Sequence, residues 1–123
     1  MSATIHIRNH HKALDENYVL LLTSNKVERA AVNKVLQNVC DADIARNTRG
    51  CNIGQLGRRL ALHVTGDSGI SKELSVGRIA TSLLSDPQFP KPILVLLVGF
   101  CWGNPAFANV GSVVVSTHVS SLN

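Results

Sequence analysis

Aromatic residues are scarce in this 123-residue chain: one Trp, one Tyr and three Phe, or 4% of the total. So few aromatics leave no interleaved stacking platform of the kind that single-stranded nucleic acid uses. Charge is also thin, at 16% Asp, Glu, Lys and Arg, with no run of one sign, which excludes an acidic or basic tail. The three cysteines, Cys40, Cys51 and Cys101, are an odd set without a CxxC pair. They suggest neither a zinc site nor a disulfide framework, so no metal is expected, and reduced thiols fit a cytoplasmic setting. The longest apolar run, Ile93 to Phe100, is far too short to cross a bilayer as a helix. Residues 1–17 lack the charged start and continuous apolar stretch of a secretory signal. A soluble, cytoplasmic protein without a membrane partner is expected.

What is present is a core-forming composition. Hydrophobic residues make up 45% of the chain, which excludes a disordered tail or a coiled coil, and the length suits one domain. Twelve basic against eight acidic residues leave a formal charge of +4. That balance permits an anionic ligand. The basic residues are dispersed, however, and Arg46, Arg49, Arg58, Arg59, Lys72 and Arg78 read as a solvated side rather than a nucleic-acid track.

The run Tyr18 to Thr23 has the pattern of a strand buried on both faces. Lys26 to Val39 is helix-like, with Val27, Ala31 and Val35 on one stripe and Val32, Leu36 and Val39 widening it. Asp41 to Gly50 is polar and reads as a loop. Cys51 to Gln55 and Arg58 to Thr65 read as a hairpin joined at Leu56-Gly57. In its second strand, Leu60, Leu62 and Val64 alternate with Arg59, Ala61, His63 and Thr65, which predicts one buried and one partly wet face. A second helical pattern runs from Ser71 or Lys72 to Leu84, followed by a stiff connection at Pro87, Pro90 and Pro92. Ile93 to Gly99 is the clearest buried parallel strand, and Ser112 to Val119 gives a last strand pattern. The order β-α-β-β-α-β-β indicates a layered α/β protein with residues 1–17 as an N-terminal extension.

In open α/β sheets, ligands gather beyond the carboxyl ends of the strands. Three segments meet that description: Thr23 to Glu28, Gly66 to Ser71 and Val98 to Asn104. None is a GxxxxGK[ST] or GxGxxG loop, so no nucleotide cofactor is implied. Glu28 has a structural reading besides a chemical one, because Asn25 and Glu28 stand at the N-cap and N3 spacing of a capping box. Ser68 equally suits the cap of the second helix. Trp102 suits packing or an interface, and His63 and His118 suit partnership with local backbone groups. His10-His11 has no companion ligands.

At these loops the chain resembles the N-terminal part of the nucleoside phosphorylase and nucleosidase superfamily. The pattern is closest to the methylthioadenosine/S-adenosylhomocysteine nucleosidases. Four ordered features carry the resemblance: Leu20 to Val32, the hairpin Ile53 to Leu62, the turn Ser68 to Lys72, and Val95 to Gly103 with Val110 to Ser116. It implies a three-layer α/β fold, a mixed β-sheet with flanking helices, truncated relative to the nucleoside phosphorylase-like whole over residues 18–123. It also implies cleavage of a purine nucleoside at its N-glycosidic bond, which needs a base for water and a proton donor for the leaving purine. By the same resemblance Glu28 matches the carboxylate that activates water. Ser24, Ser68, Val98, Gly99 and Phe100 match the ribose and base side of the pocket.

The departures from the family pattern narrow what it implies. Phosphorylases present an arginine and a serine where this chain has Leu97 and Phe100, so hydrolysis is favoured over phosphorolysis. Trp102-Gly103 replaces a small pair, and Gly111-Ser112 replaces Gly-Asp. The resemblance places the family's Met-Glu ribose clamp and catalytic Asp beyond Asn123. Catalysis is therefore expected only with a missing C-terminal half or a partner chain. The alternative is a non-catalytic nucleoside-binding or assembly module. An unpaired edge at Val113 to Val119 would favour a homo-oligomer or a partnered assembly.

Overall fold

The computed structural model describes residues 4–7, 14, 17–69, 72–100, 106 and 111–115. Among these the chain runs β1 (Ile5–His6), β2 (Val19–Thr23), α1 (Lys26–Val35), β3 (Gln37–Asp43), β4 (Gly50–Leu56), β5 (Arg59–Thr65), α2 (Val76–Ser85) and β6 (Leu94–Leu97). The strands form one mixed sheet in the order β1-β3-β4-β5-β2-β6. Strands β1 and β3, β5 and β2, and β2 and β6 pair in parallel, whereas β3–β4 and β4–β5 are antiparallel. The carboxyl ends of β2, β3, β5 and β6 therefore share one edge.

Alternation along the strands divides the apolar residues between two faces. On one, Val19 and Leu21 of β2 and Ala61 of β5 pack with Val32 and Leu36. On the other, Leu20, Leu22, Leu62 and Val64 pack with Ile79, Ala80 and Leu83 of α2 and with Phe89. One helix thus covers each face, and the molecule is an α/β domain of three layers. Ile5–His6, in the segment read as an N-terminal extension, forms β1, and Ile7 and Leu14 are buried in the α2-side core.

Several expected boundaries are corrected. Helix α1 ends at Val35, not Val39, because Leu36 turns extended and Asn38 takes a positive φ of 55°. Residues 37–43 become β3 rather than helix and polar loop. Its pairing with β4 and a register shift between Gln37 and Cys40 override the polar pattern. The hairpin is as expected, except that β4 begins at Gly50 and the turn falls on Gly57-Arg58, with Gly57 at φ 63°. The second face of β5 is not wet: residues 61–65 are all buried, because α1 closes over it. Helix α2 starts at Val76 under the cap of Ser75, whose Oγ accepts from the Arg78 amide, so Ser68 is not its cap.

The largest correction concerns the last strands. The Ile93 to Gly99 run does form a parallel strand, β6, beside β2. It is the edge of the sheet, however, and all four of its residues are exposed. Residues 112–115 form no strand and are exposed, and the remainder of Ser112 to Val119 lies outside the described residues. Among the described residues β6 is the last strand on its side of the sheet, and β1 is the last on the other.

Candidate functional site

A groove of about 440 Å³ opens on the α1 face between that helix and β6. Leu21, Leu36, Leu56 and Leu96 contribute to its apolar lining. Helix α1 supplies a wall through Val27, Ala31 and Val35, and Val98, Gly99 and Phe100 line it after β6. The stripe expected to be core is thus the wall of a groove: Val27 is 67% exposed and Val35 65%, while Val32 and Leu36 carry the buried contact. A flat apolar body fits such a lining better than a phosphate does, since among the described residues no Lys or Arg lines it.

Among the described residues one charged group faces this apolar space. Glu28 lies in the first turn of α1 and is only 8% exposed. Its backbone amide donates to Asn25 Oδ1 at 2.8 Å, the N-cap half of the expected box. The other half is displaced by one residue. Glu28 Oε1 accepts from the Ser24 amide at 2.9 Å and from the Ser24 hydroxyl at 3.2 Å, rather than from the amide of Asn25. Capping and positioning a carboxylate at the groove are therefore one arrangement. Gly99 touches that carboxylate: a Cβ at residue 99 would stand 2.9 Å from Oε2.

Of the residues expected at a site, Glu28, Val98, Gly99 and Phe100 line one groove, and Ser24 is bonded to Glu28. Ser68 is exposed in the turn after β5 and does not line the groove. Trp102 lies outside the described residues.

Beneath α1, sequence reasoning missed a buried polar ladder. His63 is fully buried, and its partners are side chains rather than backbone. Its Nε2 lies 2.7 Å from Thr23 Oγ1, and its Nδ1 lies 2.8 Å from Asn33 Oδ1. Thr23 Oγ1 in turn lies 2.7 Å from Thr65 Oγ1. Burial, with the nearby Arg29 guanidinium second, pushes the His63 pKa down to about 4, so the ring is neutral. A neutral ring donating from Nδ1 to Asn33 and accepting from Thr23 satisfies each of these atoms. The ladder continues to Asn52, whose Oδ1 accepts from Arg29 at 2.8 Å and from Asn33 at 3.3 Å. Asn52 Nδ2 donates to Asp41 Oδ1 at 3.0 Å. Gly50 makes room for the guanidinium, since a Cβ there would stand 2.2 Å from Arg29 Nε. Arg29 and Asn33 are one helical turn apart on α1, and Asn52 pairs with His63 across β4 and β5. The signal available in the sequence was a run of polar residues at helical and cross-strand spacing.

A wider hollow of about 590 Å³ near the α2 side is lined by Asp43, Arg46, Glu73 and Arg78 among others. Arg46 there is engaged by Asp86 at 2.8 Å and by Ser82 at 2.9 Å, and it lies over the Phe89 ring. Arg49 forks onto Asp67. These pairs break up the basic side expected from the sequence. Asp67 and Asp86 are held below the usual carboxylate range by their arginines. Cys40 and Cys51 are free, and burial pushes the Cys51 thiol up to about 12, which makes it a poor nucleophile. Among the described residues no helix is long and apolar enough to cross a membrane.

Fold and groove together define an α/β domain with an apolar groove headed by the Glu28 carboxylate. No protein-family description, curated protein or solved structure matches the chain.

Proposed function

We propose that this domain binds a purine nucleoside in the α1–β6 groove and belongs, by the pattern of its loops, to a nucleosidase-like lineage that hydrolyses the N-glycosidic bond. The observation that carries the proposal is the position of Glu28. It is a nearly buried carboxylate, held by Ser24, at the head of an apolar groove whose far side is Val98-Gly99-Phe100. The apolar walls suit the faces of a base, and the carboxylate suits a water molecule directed at the anomeric carbon. Among the described residues no Lys or Arg lines the groove, which favours water over phosphate as the nucleophile. The leaving purine takes its proton from solvent water unless a further segment or a partner chain supplies a donor. The free Cys40 and Cys51 support a cytoplasmic setting for this activity. Adenosine and methylthioadenosine are the ligands to titrate, with free base release as the assay. Saturable binding with base release that Glu28→Gln removes supports the proposal. Binding of neither nucleoside defeats it.

A second reading, a non-catalytic nucleoside-binding or assembly module, is favoured by the open edge at β6. Leu94 to Leu97 expose apolar side chains on both faces and, among the described residues, have no strand on one side. A second copy paired antiparallel across a two-fold axis would set α1 face beside α1 face and continue all three layers, which a lone peptide could not. Sedimentation at micromolar concentration tests this: a dimer that Val95→Lys dissociates supports it, and a monomer refutes it.

A further inference from the structure

We infer that Ser24 and Gly99 are positioning residues for Glu28, which together leave Oε2 as its working oxygen; this inference rests on the nucleosidase reading above. Both Ser24 donors, the amide at 2.9 Å and the hydroxyl at 3.2 Å, converge on Oε1. An oxygen already accepting two hydrogen bonds is a poor acceptor for a third proton. Oε2 accepts no bond from a described residue. The one buried side-chain nitrogen or oxygen without a partner among the described residues is Arg29 Nε, so Oε2 is not sealed away. It faces Gly99.

Gly99 itself needs no glycine for backbone reasons, because its φ lies outside the left-handed region. What requires the missing side chain is the carboxylate, since a Cβ would stand 2.9 Å from Oε2 and 3.3 Å from Cδ. The carboxylate cannot swing away without giving up its bonds to Ser24. Ser24 therefore holds one oxygen from behind, and Gly99 keeps clear the space before the other. In the hydrolytic step, a water O–H bond breaks and its proton passes to Oε2. The water oxygen bonds the anomeric carbon as the C–N bond breaks. The base leaves with that electron pair and takes its proton from solvent water.

The test compares the full chain with Ser24→Ala, Ser24→Thr, Gly99→Ala, Glu28→Gln and the Gly99→Ala/Glu28→Gln double variant. Adenine release from adenosine is measured along with the ¹³Cδ resonance of labelled Glu28. Losing one hydrogen bond to a charged group should lower kcat of Ser24→Ala about tenfold with KM within about twofold. Ser24→Thr restores the hydroxyl and should restore kcat. Gly99→Ala should lower kcat by at least about tenfold at an unchanged unfolding midpoint, and the double variant should be no worse than Glu28→Gln. The Glu28 resonance should shift in both Ser24→Ala and Gly99→Ala. Unchanged kcat in both single variants, or losses that multiply in the double variant, overturns the inference. If the unmodified chain releases no adenine, the nucleosidase reading fails separately. The resonance then decides: a shift in both variants sustains the positioning role, and an unmoved resonance overturns it.

Discussion

Strands β2 and β6 are neighbours, run in the same direction and are built from nearly the same residues, VLLLT and LVLL. Yet β2 is buried at every position and β6 at none. The difference lies in what stands beside each strand. Strand β2 has β5 on one side, β6 on the other and a helix layer over each face. Among the described residues strand β6 has β2 alone beside it, and its four residues are left exposed. The hydrophobic effect scales with the area removed from water, so identical side chains contribute in one strand and little in the other. The same openness that costs β6 its stabilisation leaves Leu96 free to line the groove.

This contrast can be broken or sharpened experimentally. Leu20→Ala in β2 should show the largest effect, about 2–5 kcal/mol in urea-induced unfolding, because the site is 1% exposed and cannot collapse around the lost volume.

Next comes the polar side of the β2–β5 pair. His63 has its pKa lowered to about 4 from 6.5 by burial, so protonation favours the unfolded chain. Its contribution is fully present above about pH 6.5 and is lost as pH falls towards 4. That amounts to about 3 kcal/mol at one pKa unit per 1.36 kcal/mol. Denaturant curves from pH 7.5 down to pH 4 measure it, and His63→Gln should flatten that part of the profile.

Asn25→Ala removes the α1 cap beside the groove and should cost about 1 kcal/mol by thermal unfolding. Leu97→Ala at the open edge, where the side chain is 69% exposed, should cost less than about 0.5 kcal/mol in urea. If Leu97→Ala instead costs as much as Leu20→Ala, β6 is covered in solution by another chain and the contrast belongs to the isolated molecule.

The legible parts of the fold were those decided within a few residues. The Gly57 turn and the alternation around it predict the β4–β5 hairpin, because a positive φ and a two-residue period are local properties. Asn25 was readable as a cap for the same reason. Strand β3 was not, since Gln37 to Asp43 is polar and becomes a strand only by pairing with β4. The α2 boundary was misplaced because Ser68 and Ser75 are chemically equivalent caps, and only the tertiary structure chooses between them. A Cβ at Gly66 would strike the backbone of Leu74 and Val76 at 2.7 Å, which shows how closely Gly66 stands against the start of α2. At the candidate site, Glu28 and Val98 to Phe100 were identified by resemblance and stand together. Ser68 stands apart from them, and the His63 ladder went unread because its members come from α1, β2, β3, β4 and β5.

By itself, the sequence determined the elements whose causes are short-range: an apolar strand at Val19–Thr23, the Asn25 cap of α1, a tight hairpin and a carboxylate in the first turn of α1. Only the tertiary structure decided which apolar residues are core and which are surface. Val27 and Val35 line a groove where a helical stripe suggested interior, and β6 lies open where its composition suggested burial. The physical reason is that burial belongs to a residue's neighbours in space rather than to the residue. Glu28 and Gly99 are 71 positions apart (99 − 28), and only the pairing of β6 with β2 brings them into contact.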